Sequence, residues 1–231
     1  MEEWAEELND EIVSKNDISL STEEHLGQLT VELTNKFMLP LFIPHIQQYL
    51  GSANVEHQHA GLIAMAILTE DCHESFKNEL KNIMSLILPL LNSNEPRIMH
   101  DILVAMGYMS EEFCPEIQQH YGEMILQFII KALQFPALKV QFKAVQCLQN
   151  FEKGLAEHKD IKVMDAFLPT IMQELARIFE YSLSKKNYIL LESLLDTLAT
   201  LADMNPFENY YPSFMPGLKK ILSIMGTENQ Q

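Results

Sequence analysis

The chain has little with which to build strands, disulfides or a membrane span. Its 231 residues include only eight glycines, and no stretch alternates apolar and polar side chains as a half-buried strand would. Three cysteines, Cys72, Cys114 and Cys147, are odd in number and lack Cys-x-x-Cys spacing. Neither a disulfide framework nor a zinc site is therefore expected, and such cysteine use fits a reducing setting. The longest apolar runs, such as residues 83–91, are too short to cross a bilayer. The N-terminus is acidic and does not open as a signal peptide does. A Gly-rich phosphate loop, a Gly-x-Ser-x-Gly elbow and paired catalytic carboxylates are all missing, so no enzyme and no cofactor is expected.

Basic residues are also scarce, and unevenly so. Residues 1–116 hold 20 acids and 5 bases, a net of −15, whereas residues 117–231 hold 12 acids and 11 bases, a net of −1. Phosphate backbones need Lys and Arg, so direct DNA or RNA binding is disfavoured. The acidic half suits solubility or a basic partner.

What is present is apolar and periodic. Apolar residues make up 47% of the chain, enough to build a folded core. One i, i+4, i+8 triplet occurs five times: Phe42, Ile46, Leu50; Ile83, Ile87, Leu91; Ile125, Ile129, Leu133; Phe167, Ile171, Leu175; and Phe214, Leu218, Leu222. Its first members are 41, 42, 42 and 47 residues apart. That spacing within a triplet marks one stripe of a helix. A second series precedes it: Gly61, Ala64, Met65, Leu68; Ile102, Ala105, Met106, Met109; Ala144, Cys147, Leu148, Phe151; and Leu194, Thr197, Leu198, Leu201. Two helices per repeat of this length are the pattern of HEAT or armadillo arrays. Each pair must stack on its neighbours to bury its apolar face. The expected fold is an all-α, α-α superhelix: a right-handed HEAT-repeat solenoid of five helix pairs.

The expected divisions are an acidic lead-in or insertion over 1–18, then repeats over 19–50, 54–91, 95–134, 137–182 and 186–225. Helix 19–36 would begin at Ser21 or Thr22 as cap, with Leu26, Leu29 and Leu33 inward. The second helices are expected over 37–50, 73–91, 115–133, 162–181 and 207–225. Pro44, Pro169 and Pro216 share one register position, where each would either bend its helix or mark a later start. Glu70-Asp71 and Glu111-Glu112 are placed at turns, either as a plain acidic surface or as a site for a Lys- or Arg-rich partner. Met65, Met106 and Met109 follow the buried register.

A polar stripe runs along the second helices. It comprises Asn78, Lys81 and Ser85; His120, Glu123, Gln127 and Lys131; Lys162, Asp165 and Gln173; and Asn209 and Lys220. In a curved stack these helices line the concave face, where extended partners are held. His57, His59 and His100 form the only cluster with metal-ligand character. Positions i and i+2 diverge by about 200° on a helix, so no metal site is expected.

Several segments together resemble a known family. Phe42-Ile43-Pro44-His45-Ile46, His59-Ala60-Gly61-Leu62-Ile63-Ala64 and Asn94-Glu95-Pro96-Arg97 are similar to the middle HEAT repeats of importin-β (karyopherin-β) nuclear transport receptors, closest to the importin beta-3 branch. Glu3-Trp4-Ala5 followed by Glu6-Glu7-Leu8-Asn9-Asp10 resembles the acidic, Trp-containing insertion that precedes these repeats in that branch. The resemblance implies a monomeric, non-enzymatic carrier, represented here by part of its repeats, shuttling between cytoplasm and nucleus. It implies capture of Lys/Arg-rich import signals at Asn78, Lys81, Ser85, His120, Glu123, Gln127, Asp165 and Gln173. Glu2, Glu3, Trp4, Glu6, Glu7 and Asp10 would meet Ran GTPase in its GTP form, or basic cargo. Ile63, Ile67, Val104 and Tyr108 on the first helices would meet Phe-Gly nucleoporins or pack between repeats. The rival reading is a HEAT scaffold subunit of a phosphatase or chromosome-associated complex.

Overall fold

A computed structural model of the chain describes residues 25–29, 35–71, 76–156, 158, 162–204 and 207–228. The acidic segment Glu2 to Asp10, the cap at Ser21 or Thr22, Leu33 and Cys72 lie outside the described residues. Among the described residues nine long or medium helices follow one another: α1 Asn35–Leu50, α2 Val55–Asp71, α3 Leu80–Ile87, α4 Pro96–Glu112, α5 Glu116–Leu133, α6 Leu138–Ala156, α7 Leu168–Lys185, α8 Tyr188–Met204 and α9 Tyr211–Glu228. Among the described residues there is no strand. The helices form two rows. α2, α4, α6 and α8 pack on one another in sequence, while α5, α7 and α9 pack successively in the second row. Each first helix also packs on its chain neighbour in the other row, as α4 does on α5 and α7 on α8. This is the two-layer stack that the paired apolar series require.

Local chemistry starts and stops the helices. Asn54 Oδ1 accepts the Glu56 N–H at 2.9 Å and caps α2; Asn187 Oδ1 accepts the Leu190 N–H at 3.2 Å and caps α8. Pro96 opens α4 in its first turn, where its missing N–H costs nothing. α7 ends at Lys186, whose φ of 58° is left-handed, and Asn187 N–H then returns to Ser182 O at 2.9 Å.

The apolar stripes bury as expected through the middle of the stack. Ile83, Ile87, Ile125, Ile129, Leu133, Ile171 and Leu175 are all buried, as are Met65, Met106 and Met109. The ends differ. Leu222 is 68% exposed and Leu29 is 50% exposed.

Two local expectations are corrected, and the alternative left open for the three prolines resolves both ways. The second helix of the fourth repeat begins at Leu168, not at 162; residues 163–167 form a turn in which the Leu168 N–H reaches Met164 O at 2.9 Å. Pro169 sits in the first turn of α7, where its missing N–H would have no intrahelical partner. Pro44 and Pro216 instead lie inside α1 and α9, so the shared register position has two outcomes. Glu70-Asp71 and Glu111-Glu112 belong to the last turns of α2 and α4. There the helix dipole opposes their charge.

Adjacent second helices are also joined by cations. Lys131 Nζ donates to Leu91 O at 3.1 Å and to Ser93 O at 3.0 Å. Arg177 Nη2 donates to Leu133 O at 2.7 Å. Leu91 and Leu133 close equivalent triplets, so each cation meets the carbonyl end of the preceding second helix, α5 for Arg177 and the 3₁₀ turn Leu88–Asn92 that follows α3 for Lys131. Replacing Lys131 by Met keeps the buried stem and removes both bonds. We expect a loss of about 2 kcal/mol, read as a melting temperature lowered by about 4–8 °C.

Candidate functional site

α5 presents the densest part of the polar stripe. Its apolar side, Ile117, Ile125, Leu126, Phe128 and Ile129, is buried in the stack, which turns His120, Glu123 and Gln127 outward, all exposed. Together with Lys162 and Val163 these three line an open cleft of about 760 Å³. The cleft is possible because Gly122 carries no side chain. A Cβ there would stand 3.0 Å from Val163 Cγ2, closer than packed carbons sit, so any larger residue would push the 162–163 segment away.

The floor of the cleft includes Gln118, which is 1% exposed. Its Nε2 donates to Ser110 O at 2.6 Å, which fixes the amide's orientation and leaves Oε1 buried without a partner among the described residues. Near the start of α5, Lys77 Nζ lies 2.6 Å from Glu116 Oε1. That bond holds the Glu116 carboxyl below its usual range against the opposing effect of burial. The ion pair ties the second helix of one repeat to that of the next.

The other expected contact residues are spread more widely. Asn78, Lys81 and Ser85 are exposed on the 3₁₀ turn Lys77–Glu79 and on α3, with the Ser85 hydroxyl donating to Asn82 O at 2.6 Å. Gln173 is exposed on α7, and Asp165 is exposed in the turn that precedes it. Asn209 and Lys220 are exposed at the last second helix. Lys131 departs from the stripe, since it is half-buried and engaged with Leu91 and Ser93. Sequence reasoning missed Gln118, Tyr121, Gly122, Met124 and Val163 as cleft residues. Gly122, one of only eight glycines and the only one inside a strongly helical pattern on a second helix before α9, was the available signal.

On the first helices, Ile63, Ile67, Val104 and Tyr108 are half-buried. Val104 and Tyr108 line a groove of about 290 Å³ between α4 and α6; its remaining walls are Leu103, Gly107, Lys143, Gln146, Cys147, Gln149 and Asn150. The groove is therefore polar on its α6 side. Cys147 is buried and burial pushes its thiol up to about 12, so it is inert there.

The histidines do not gather around a metal position. His57 stacks on Tyr49 with ring centroids 5.1 Å apart. His59 Nδ1 instead lies 2.7 Å from Asp101 Oδ2, and His100 Nδ1 lies 3.0 Å from Asp101 Oδ1. Asp101 is 1% exposed, so the two imidazoles supply the hydrogen bonds its buried carboxylate needs. Burial lowers the His100 pKa, although Asp101 opposes that shift. Among the described residues, no group of three or more His, Cys, Asp or Glu could hold a metal ion.

Two layers of parallel-stacked helix pairs with an exposed polar stripe along one layer define an α-solenoid of HEAT type, a partner-binding class of fold. No family model matches the sequence. The chain is similar to importin subunit beta-3 of Saccharomyces cerevisiae, 25% identical over 231 residues, covering 98% of this chain and 20% of that protein. Importin subunit beta-2 of Schizosaccharomyces pombe is 25% identical over 166 residues, covering 70% of this chain and 18% of that one. The fold matches crystal structures of the karyopherin Kap121p: bound to Pho4p with a TM-score of 0.81, and bound to RanGTP with a TM-score of 0.80. These are 24% identical and cover 96% and 95% of this chain, and 21% of Kap121p in each case. The chain is thus similar to importin subunits and shares the HEAT-repeat fold of Kap121p, and it spans about a fifth of the length of the curated relatives it matches. The relatives' names are those of import subunits, not of enzymes.

Proposed function

We propose that this chain is a cargo-binding segment of a nuclear import receptor that shuttles between cytoplasm and nucleus. Its second-helix face captures extended Lys/Arg-rich import signals. The observation that carries this reading is the exposed stripe His120, Glu123 and Gln127, which lines an open cleft on α5. Glu123 supplies charge for a basic side chain, and the neighbouring amides and imidazole supply hydrogen bonds for an extended main chain. Asn78, Lys81, Ser85, Asp165 and Gln173 extend the same surface along the stack. The likeness to Kap121p, solved in complexes with Pho4p, Ste12p, Nup53p and RanGTP, supports cargo, nucleoporin and Ran as partner classes. Ile63, Ile67, Val104 and Tyr108 are assigned to Phe-Gly nucleoporins, and the acidic segment Glu2 to Asp10 to Ran in its GTP form or to basic cargo.

The test is binding of a fluorescent Lys-rich import-signal peptide at two salt concentrations. Saturable binding that weakens with salt is expected. Glu123→Ala and Asp165→Ala should each weaken it by up to about fivefold, the range for exposed charge pairs. Binding indifferent to both substitutions would remove cargo capture from this face and favour a scaffold subunit with no transport role.

A further inference from the structure

The α4–α6 groove has the chemistry of a second binding site, on the opposite layer from the cleft. Lys139 and Lys143 stand one turn apart on α6, and both act electrostatically on His100. Lys143 Nζ donates to Gln146 Oε1 at 2.7 Å. Among the described residues no carboxylate lies within ion-pair distance of it. Asp101 acts on it electrostatically but is already taken up by His59 and His100. An ammonium has three donors, so Lys143 keeps spare donors and an unmatched charge at the edge of a groove. Burial also lowers the Lys143 pKa, a cost that a bound anion would offset.

The remainder of the groove is suited to a main chain. Gln149 and Asn150 are half-buried and line the groove, and their side-chain amides make no hydrogen bond among the described residues. Gly107 leaves bare backbone opposite them, with room for a Cβ at 3.5 Å from Asn150 Nδ2. From Lys143 to Asn150 the helix rises about 10 Å, the length of about three extended residues. Leu103 and Val104 add an apolar wall. In a chain with a net charge of −16, this seam is locally positive.

We propose that the α4–α6 groove binds an extended acidic peptide segment, with a carboxylate on Lys143 and the peptide main chain on the amides of Gln149 and Asn150. The inference does not depend on cargo capture by the second helices, and because Val104 and Tyr108 line this groove, an acidic peptide there would compete with the Phe-Gly contact proposed for those two residues. The test uses the full chain and a fluorescein-labelled hexapeptide of alternating aspartate and glycine, followed by anisotropy, with the asparagine–glycine peptide as the neutral comparison. Saturable binding of the acidic peptide alone, weakened by salt, is expected. Lys143→Gln should weaken it by about tenfold or more, as loss of a partly desolvated charge partner does, whereas Lys143→Arg should keep it. Gly107→Ala fits without a clash and gives a second check, since its methyl group would cover the Asn150 amide and weaken binding in a folded chain. Lys219→Gln, exposed on α9 and far along the stack, should change nothing. Absence of saturable binding, equal binding of the neutral peptide, or unchanged affinity in both Lys143→Gln and Gly107→Ala would overturn the proposal.

Discussion

Gly154→Ala is expected to lower the stability of the chain by about 3 kcal/mol, despite alanine's better helix propensity. Gly154 lies in α6, and a Cβ there would meet Ser110 O at 2.6 Å, Gln118 Nε2 at 2.7 Å and Cys114 Cβ at 3.2 Å. Ser110 O is backbone and cannot rotate away. Gln118 cannot retreat without breaking its bond to that same oxygen, and the thiol of Cys114 is bonded to Gly154 O at 2.5 Å. Overpacking costs about 1–3 kcal/mol, and a broken buried hydrogen bond costs about 1–3 more. The helix gains only about 1 kcal/mol from alanine. Thermal melting should show a drop of about 6–12 °C. Gly107→Ala is the control. Its Cβ meets nothing closer than 3.5 Å, so its melting temperature should hold or rise. Equal melting of the two variants would refute the close-packing account.

Glu152→Met is expected to do the opposite and stabilise the chain at neutral pH. Glu152 is fully buried in α6, and neither carboxylate oxygen has a partner among the described residues. Burial therefore raises its pKa well above the ordinary carboxyl value. The sign follows from proton linkage. The folded chain keeps a proton on Glu152 at pH values where the unfolded chain has released it. No ionisation penalty exists below the unfolded pKa of about 4.5. Above it, stability falls by about 1.4 kcal/mol per pH unit until the folded pKa is reached. Methionine has similar length and no charge. The gain should be small at pH 4 and should widen toward pH 7, as measured by denaturant melts across that range. A gain independent of pH would mean that repacking, not the carboxyl, is responsible.

Glu152 also marks the limit of what the sequence could reveal. By repeat register it occupies the position of Thr69 and Ser110. Those hydroxyls satisfy themselves on the carbonyl four residues back, Met65 O at 2.9 Å and Met106 O at 2.7 Å. Polarity alone would have placed all three on the surface. The stripes of Ile, Leu and Met were legible because helical spacing fixes which side chains share a face, and that was enough to give two layers. Exposure of Asn78, His120, Glu123 and Gln173 was legible for the same reason. Lys131 was not, since a long cationic stem can bury itself and reach a carbonyl forty residues away. The turn over 163–167 was hidden because Phe167 and Ile171 keep the helical interval even though the helix begins between them. The cleft depends on Gly122 opposing Val163, and the α4–α6 groove on Gly107 opposing Asn150. These are distances between elements, which intervals along a chain do not encode.

The two layers should also differ as springs. Past its α2–α4 joint, where His59 meets Asp101 and Arg97 Nη1 donates to Glu56 Oε1 at 3.1 Å, the first-helix row adheres largely through apolar contact, which weakens gradually as surfaces slide. The second-helix row is latched at two successive joints by Lys131 and Arg177, and a hydrogen bond to a carbonyl fails within a short displacement. Small bends would be resisted mostly by the latches, and larger ones would release them one at a time. The middle of the chain would then answer an increasing load in steps, with compliance gained first at whichever latch lets go.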